Sequence, residues 1–284
     1  MIVSSVSNWT EIINFDSNVE CTPSDLPEKV TYPIAAYFQD KVVACGGDFP
    51  YICYSYDFAL KEWVYTAPLD TRRSKAISVV MDDSAWWIAG GYSDVDLTDS
   101  IVFNGSAFAP GPDLPHEMKF PCAVKLNETS IFVAGGYYRR DYFRSAYILD
   151  WPTGRWTRLP DMANQRAHHA CSLVGGKVVV TGGWENEDRD NLSYGEIFSL
   201  ETNTWSVGPK VPTLSGYLFY ITDAAAESEA GFRVFGGFDR VTTRLDTIFE
   251  YDALLDSWTV LDQTMSRGQT VAIAIPIPED KDHC

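Results

Sequence analysis

Apolar residues along this chain come in short runs broken by glycine, proline, asparagine and aspartate. Near the C-terminal end, residues 216–222 and 232–235 are apolar, 246–252 and 257–261 follow, and turn residues separate them. Runs of this length and spacing predict four short strands, a to d. No window sustains the i, i+3, i+4, i+7 spacing of an amphipathic helix. The same unit recurs upstream, with strands a and b expected at 32–38 and 41–45, 76–81 and 85–89, 121–126 and 130–134, and 170–174 and 177–181.

Each strand b runs into a glycine pair: Gly46-Gly47, Gly90-Gly91, Gly135-Gly136, Gly182-Gly183 and Gly236-Gly237, spaced 44, 45, 47 and 54 residues apart. Paired glycines permit positive φ and close backbone approach. A second signature follows on strands c and d, in Tyr56 and Trp63, Leu149 and Trp156, Phe198 and Trp205, and Tyr251 and Trp258, each seven residues apart. In the second copy Phe103 and Phe108 are five apart. Asn104-Gly105 between them suits a tight hairpin turn. The large residue on strand d is expected to fill the wedge between adjacent sheets.

Self-similarity at this period means a repeat architecture. Five blades are expected at about 31–69, 75–115, 119–160, 168–212 and 216–265. Trp9 follows Ile2 by seven residues, so 1–12 reads as strands c and d of a closing blade, completed by a strand a within 267–278. Strand b of that blade is missing from this reading. The expectation is a single all-β, six-bladed propeller over 1–284, whose closure buries strand edges.

The repeat resembles the kelch family. The resemblance rests on the five glycine pairs, the downstream aromatics, and Arg73, Lys119, Arg166 and Arg267 at the head of strand a, where kelch repeats often carry arginine. It implies a kelch-type β-propeller used as a binding platform. Phe108 in place of tryptophan and the absent strand b depart from the pattern. No helical adaptor segment is visible beside the repeats.

The formal charge of −17 argues against non-specific binding to nucleic acid or anionic membrane. No apolar run approaches the roughly 18 residues of a membrane span. Histidines number four, and His168-His169 on one strand point to opposite faces. No nucleophile elbow, phosphate loop or metal motif is legible. The reading is therefore a non-enzymatic module without cofactor or metal. Cys45 and Cys53 flank the first b–c hairpin, which suits either a bridge or two buried thiols, while Cys122 and Cys171 read as plain core residues. Sequons begin at Asn8, Asn104, Asn127 and Asn191. Together with the resemblance of Cys45-Gly-Gly…Cys53-Tyr-Ser-Tyr to extracellular invertebrate kelch-like proteins, they favour a secreted glycoprotein. A cytoplasmic protein is the alternative, since no signal peptide is visible.

Alternation of strands puts the b–c and d–a loops at one mouth of the ring and the a–b and c–d turns at the other. Ten of thirteen arginines belong to the first mouth, three of four sequons to the second. The binding expectation is thus an acidic peptide or protein partner at the first mouth, held by Arg139, Arg140 and Arg144 of one b–c loop and by Arg73, Arg166, Arg240 and Arg267. Tyr92, Tyr137, Trp184 and Phe238, each just after a glycine pair, would flank them. The competing reading pairs these arginines with loop carboxylates such as Asp94, Asp141 or Asp239. Carbohydrate binding or processing is the alternative function.

Overall fold

The structure is a computed structural model that describes residues 1–4, 7–15, 23–47, 51–69, 71–186, 192–212, 231–237, 244–269 and 272–278. Among them there is no helix, and the strands form six blades. The first is Ile34–Phe38, Lys41–Cys45, Ile52–Asp57 and Glu62–Pro68. The second is Ile77–Asp82, Ala85–Ala89, Ser100–Phe103 and Phe108–Pro110. The third is Cys122–Asn127, Ser130–Ala134, Ala146–Asp150 and Arg155–Arg158. Ala170–Val174, Lys177–Thr181, Tyr194–Ser199 and Thr204–Lys210 make the fourth. The fifth shows Gly231–Phe235, Leu245–Asp252 and Ser257–Gln269; its expected strand a at 216–222 lies outside the described residues.

The seven-residue spacing has a simple origin: its two members are directly opposite one another. Tyr56 pairs with Trp63, Leu149 with Trp156, Phe198 with Trp205 and Tyr251 with Trp258 across antiparallel strands. Phe103 and Phe108 keep the same pairing over their shorter turn. The tryptophan then reaches the preceding blade. Trp156 donates its indole N–H to Asp113 O (2.6 Å), Trp205 to Pro160 O (2.8 Å) and Trp63 to Ser24 O (3.1 Å).

Six buried clusters fill the interfaces of neighbouring blades. Trp86 and Trp87, adjacent on one strand and both fully buried, point to opposite sides, Trp86 towards the first blade and Trp87 towards the third. Strands covered on both faces explain why the apolar runs are nearly continuous rather than alternating. Two disulfides reinforce this frame: Cys45–Cys53 within the first blade and Cys122–Cys171 between the inner strands of the third and fourth. The second corrects the expectation of plain core residues. Cys171 sits one position further along its strand than Cys122 does, and successive side chains face opposite sides, so the two face each other across the interface. On loop entropy the 49-residue link contributes about 4 kcal/mol and the 8-residue link about 2.5 kcal/mol.

The closing blade differs from the expected one by a strand. Ile2–Ser4 pairs on one side with Ala272–Ala274 and on the other with Thr10–Glu11. It therefore takes the place of strand b, with Thr10–Glu11 as strand c. The spacing of Ile2 and Trp9 was coincidental: Ile2 is opposite Glu11, and Trp9 instead packs with Ile248 and Met265 of the fifth blade. Arg267 belongs to the long outer strand Ser257–Gln269 rather than to the closing strand.

Candidate functional site

The glycine pairs are the joints between blades. Gly47 N–H donates to Arg73 O, Gly91 N–H to Met118 O and Gly136 N–H to Arg166 O, each across to the next blade. A Cβ on Gly47 (φ +110) would lie 2.2 Å from Thr31 O, so no other residue fits there. These bonds also fix the repeat register. Met118, not Lys119, is the equivalent of Arg73 and Arg166, which corrects the expected equivalence of Lys119.

Arg73 and Arg166 are fully buried and face inward to the frame, not outward to a ligand. Arg73 donates to Gly90 O (2.8 Å), Asp99 O (2.9 Å) and Asp99 Oδ2 (2.7 Å). Arg166 donates to Gly182 O (3.0 Å) and to Glu196 Oε1 (2.7 Å), itself buried. Glu196 also accepts the N–H groups of Ala163 and Asn164. Each arginine thus ties the first glycine of its own blade to an acid at the start of strand c. His169, packed beside this frame, is held well below the ordinary histidine pKa by burial first and the Arg166 charge second, so its ring stays neutral.

Two residues beyond the arginine the chain changes character. Tyr32, Lys75, Phe120 and His168 occupy one repeat position, two residues before strand a of four successive blades. All four have positive φ, at 54°, 60°, 51° and 58°. Bulky residues rarely adopt this conformation. Here it turns four side chains towards one another: the rings of Tyr32 and Phe120, from blades that are not neighbours, meet at 5.2 Å, and Phe120 stacks on His168 at 3.6 Å. Backbone bonds join the series, from Phe120 N–H to Lys75 O and from His168 N–H to Phe120 O, both 3.1 Å.

The aromatics after the glycine pairs join this ring. Tyr92 exchanges two backbone hydrogen bonds with Ser74, Tyr137 with Lys119, and Trp184 with Ala167. The result is an alternating arc. Lys75 Nζ stands 5.4 Å from the Tyr32 ring and 5.0 Å from that of Tyr92, and Lys119 Nζ 5.3 Å from Tyr92 and 4.7 Å from Tyr137. Trp184 continues it against His168 at 4.3 Å. Lys119 is already neutralised by Asp96 at 2.6 Å. Among the described residues no carboxylate pairs with Lys75, which is half-buried.

The third b–c loop folds into its own hairpin, Tyr137–Tyr138 against Asp141–Tyr142, with Arg139 and Arg140 exposed at its turn. Tyr142 stacks on Tyr137, and Arg139 lies over the Tyr138 ring at 5.0 Å. Arg144 pairs with Asp161 at 3.3 Å and Arg72 with Asp94. Arg267 is exposed, 5.9 Å from the Trp9 ring. Arg240, Phe238 and Asn191 lie outside the described residues. The sequence reading reached Tyr92, Tyr137 and Trp184 but missed Tyr32, Lys75, Phe120 and His168. They are four different residue types, so only their common distance from strand a could have signalled them.

A family model, the Kelch motif, matches residues 121–163 and 165–212, the third and fourth blades. These two blades are kelch repeats. It is similar to a putative F-box/kelch-repeat protein of Arabidopsis thaliana, 31% identical over 52% of this chain and 40% of that protein. A second Arabidopsis thaliana F-box/kelch-repeat protein is 35% identical over 31% of this chain and 25% of its own length. Kelch domain-containing protein 8B of Mus musculus is 34% identical over 36% of this chain and 32% of its own length. The chain spans less than half the length of these relatives. Kelch propellers serve generally as protein-interaction scaffolds.

Proposed function

We propose that this propeller binds a peptide or protein loop bearing acidic side chains at the mouth framed by the b–c and d–a loops. The observation that carries the reading is the strained ring of Tyr32, Lys75, Phe120 and His168. Backbone strain persists where surrounding structure enforces it, and it clusters at binding sites. Lys75 is the anchor in this reading: its half-buried side chain places the ammonium beside two tyrosine rings, where an incoming carboxylate would meet it. Arg139 and Arg140 at the hairpin turn supply further donors. Arg73 and Arg166, being buried, take no part. The ring faces of Tyr92, Tyr137 and Trp184 are the one feature favouring a carbohydrate ligand.

Selection of a displayed random-peptide library on the immobilised protein tests this. Enrichment of Asp- and Glu-rich peptides, with binding lost at least tenfold on Lys75→Glu and weakened on joint Arg139→Ala and Arg140→Ala, is expected. Acidic binders indifferent to Lys75→Glu would sink the reading. Binding confined to a glycan array and abolished by Tyr137→Ala would replace it with the carbohydrate one.

A further inference from the structure

The folded chain separates its three described sequons into two kinds. Asn127 ends strand a of the third blade, and its Oδ1 accepts both the N–H and the hydroxyl of Thr129, each at 2.9 Å. Asn104, in the c–d turn of the second blade, accepts Ser106 N–H (3.0 Å), Ser106 hydroxyl (3.0 Å) and Ala107 N–H (2.9 Å). Asn104, Ser106, Asn127 and Thr129 are exposed. Among the described residues only the carbonyl side of each amide is used, so Nδ2 can carry a saccharide without giving up a bond.

Asn8 is the opposite case. Its Nδ2 donates to Leu26 O at 3.2 Å, its backbone carbonyl accepts Leu26 N–H at 2.7 Å, and the Thr10 of its sequon is buried with its hydroxyl on Ser24 O. A saccharide on that nitrogen would crowd the Leu26 carbonyl it faces and strain the tie that holds the closing blade to the first d–a crossover. A second, independent observation concerns the compartment. Cys45–Cys53 and Cys122–Cys171 are both formed, and such bridges persist in oxidising compartments, where N-glycosylation also takes place.

We propose that the chain is made in an oxidising secretory compartment and carries N-linked glycans on Asn127 and Asn104, and none on Asn8. The donor is a lipid-pyrophosphate-linked oligosaccharide. Asparagine Nδ2 forms the new bond to its anomeric carbon, the anomeric C–O bond breaks, lipid pyrophosphate leaves with the electron pair, and the amide gives up one proton. Both acceptors sit on a–b and c–d turns, on the face away from the mouth, so the glycans leave the mouth open.

Peptide mapping of the unreduced protein isolated from its own source tests this, with enzymatic deglycosylation in heavy-oxygen water to mark occupied sites. Label is expected on Asn127 in most molecules, on Asn104 in a fraction, and not on Asn8, with both disulfides intact. Bare Asn127, free Cys122 and Cys171, or label on Asn8 would overturn the proposal. In a eukaryotic secretory host, Thr129→Ala keeps Asn127 and the fold and is expected to remove one glycan. An unchanged glycan mass would count equally against it.

Discussion

Arg166 and Lys75 are both cations in d–a crossovers, two repeat positions apart, yet they live in different environments. Arg166 has no exposed surface and every donor group it uses points into the frame, at Gly182 O and Glu196. Lys75 is half-buried, and its ammonium lies 5.4 Å from the Tyr32 ring and 5.0 Å from that of Tyr92. One position holds blades in register, and the other displays chemistry at the mouth. A positive charge near a propeller mouth is therefore no guide to binding until its partners are known.

The largest test of this contrast is Arg166→Ala. It leaves Glu196 buried without its counter-charge and should cost roughly 3–5 kcal/mol in urea unfolding. Adding Glu196→Gln should recover part of that loss. Arg73→Ala should cost less, about 2 kcal/mol, because the Asp99 side chain is half exposed and can hydrate. Equal losses would break the distinction between the two arginines.

His169 offers a pH readout of the same frame. Its folded pKa lies below its unfolded value, so its contribution is whole above about pH 6.5 and is lost as pH falls. Between pH 7 and pH 5 the wild type should lose up to about 2 kcal/mol more than His169→Gln. The smallest stability effect belongs to the mouth. Lys75→Gly relieves a positive φ and should stabilise by about 0.5–1 kcal/mol while peptide binding falls. A destabilised Lys75→Gly would move Lys75 into the frame with Arg166.

The propeller was legible because its joints have a steric requirement that only glycine meets. At Gly47 and Gly91 a neighbouring carbonyl occupies the space of a side chain, so the pairs survive in every complete repeat. Cross-strand pairs such as Tyr251 and Trp258 were visible for a similar reason, as contact fixes their spacing. The closing blade misled because strands of two or three residues carry too few side chains to define a register. Burial of Arg73 and Arg166 was hidden because it depends on Asp99 and Glu196, 26 and 30 residues further on. The mouth ring was hidden more deeply, since Tyr32, Lys75, Phe120 and His168 share a backbone conformation and not a side-chain type.

The pairing of Ile2–Ser4 with Ala272–Ala274 also sets an order of assembly. Each complete four-stranded blade is built from contiguous chain and can form by itself soon after synthesis, whereas this contact spans a sequence separation of about 270 residues. Contacts of such separation carry a large loop-closure cost and form late. Until Ala272–Ala274 arrives, Ile2–Ser4, the first strand of the chain, waits with an unpaired edge. Folding intermediates of this protein should therefore be open arcs, and the seam is where a chaperone or a second copy of the chain would find them.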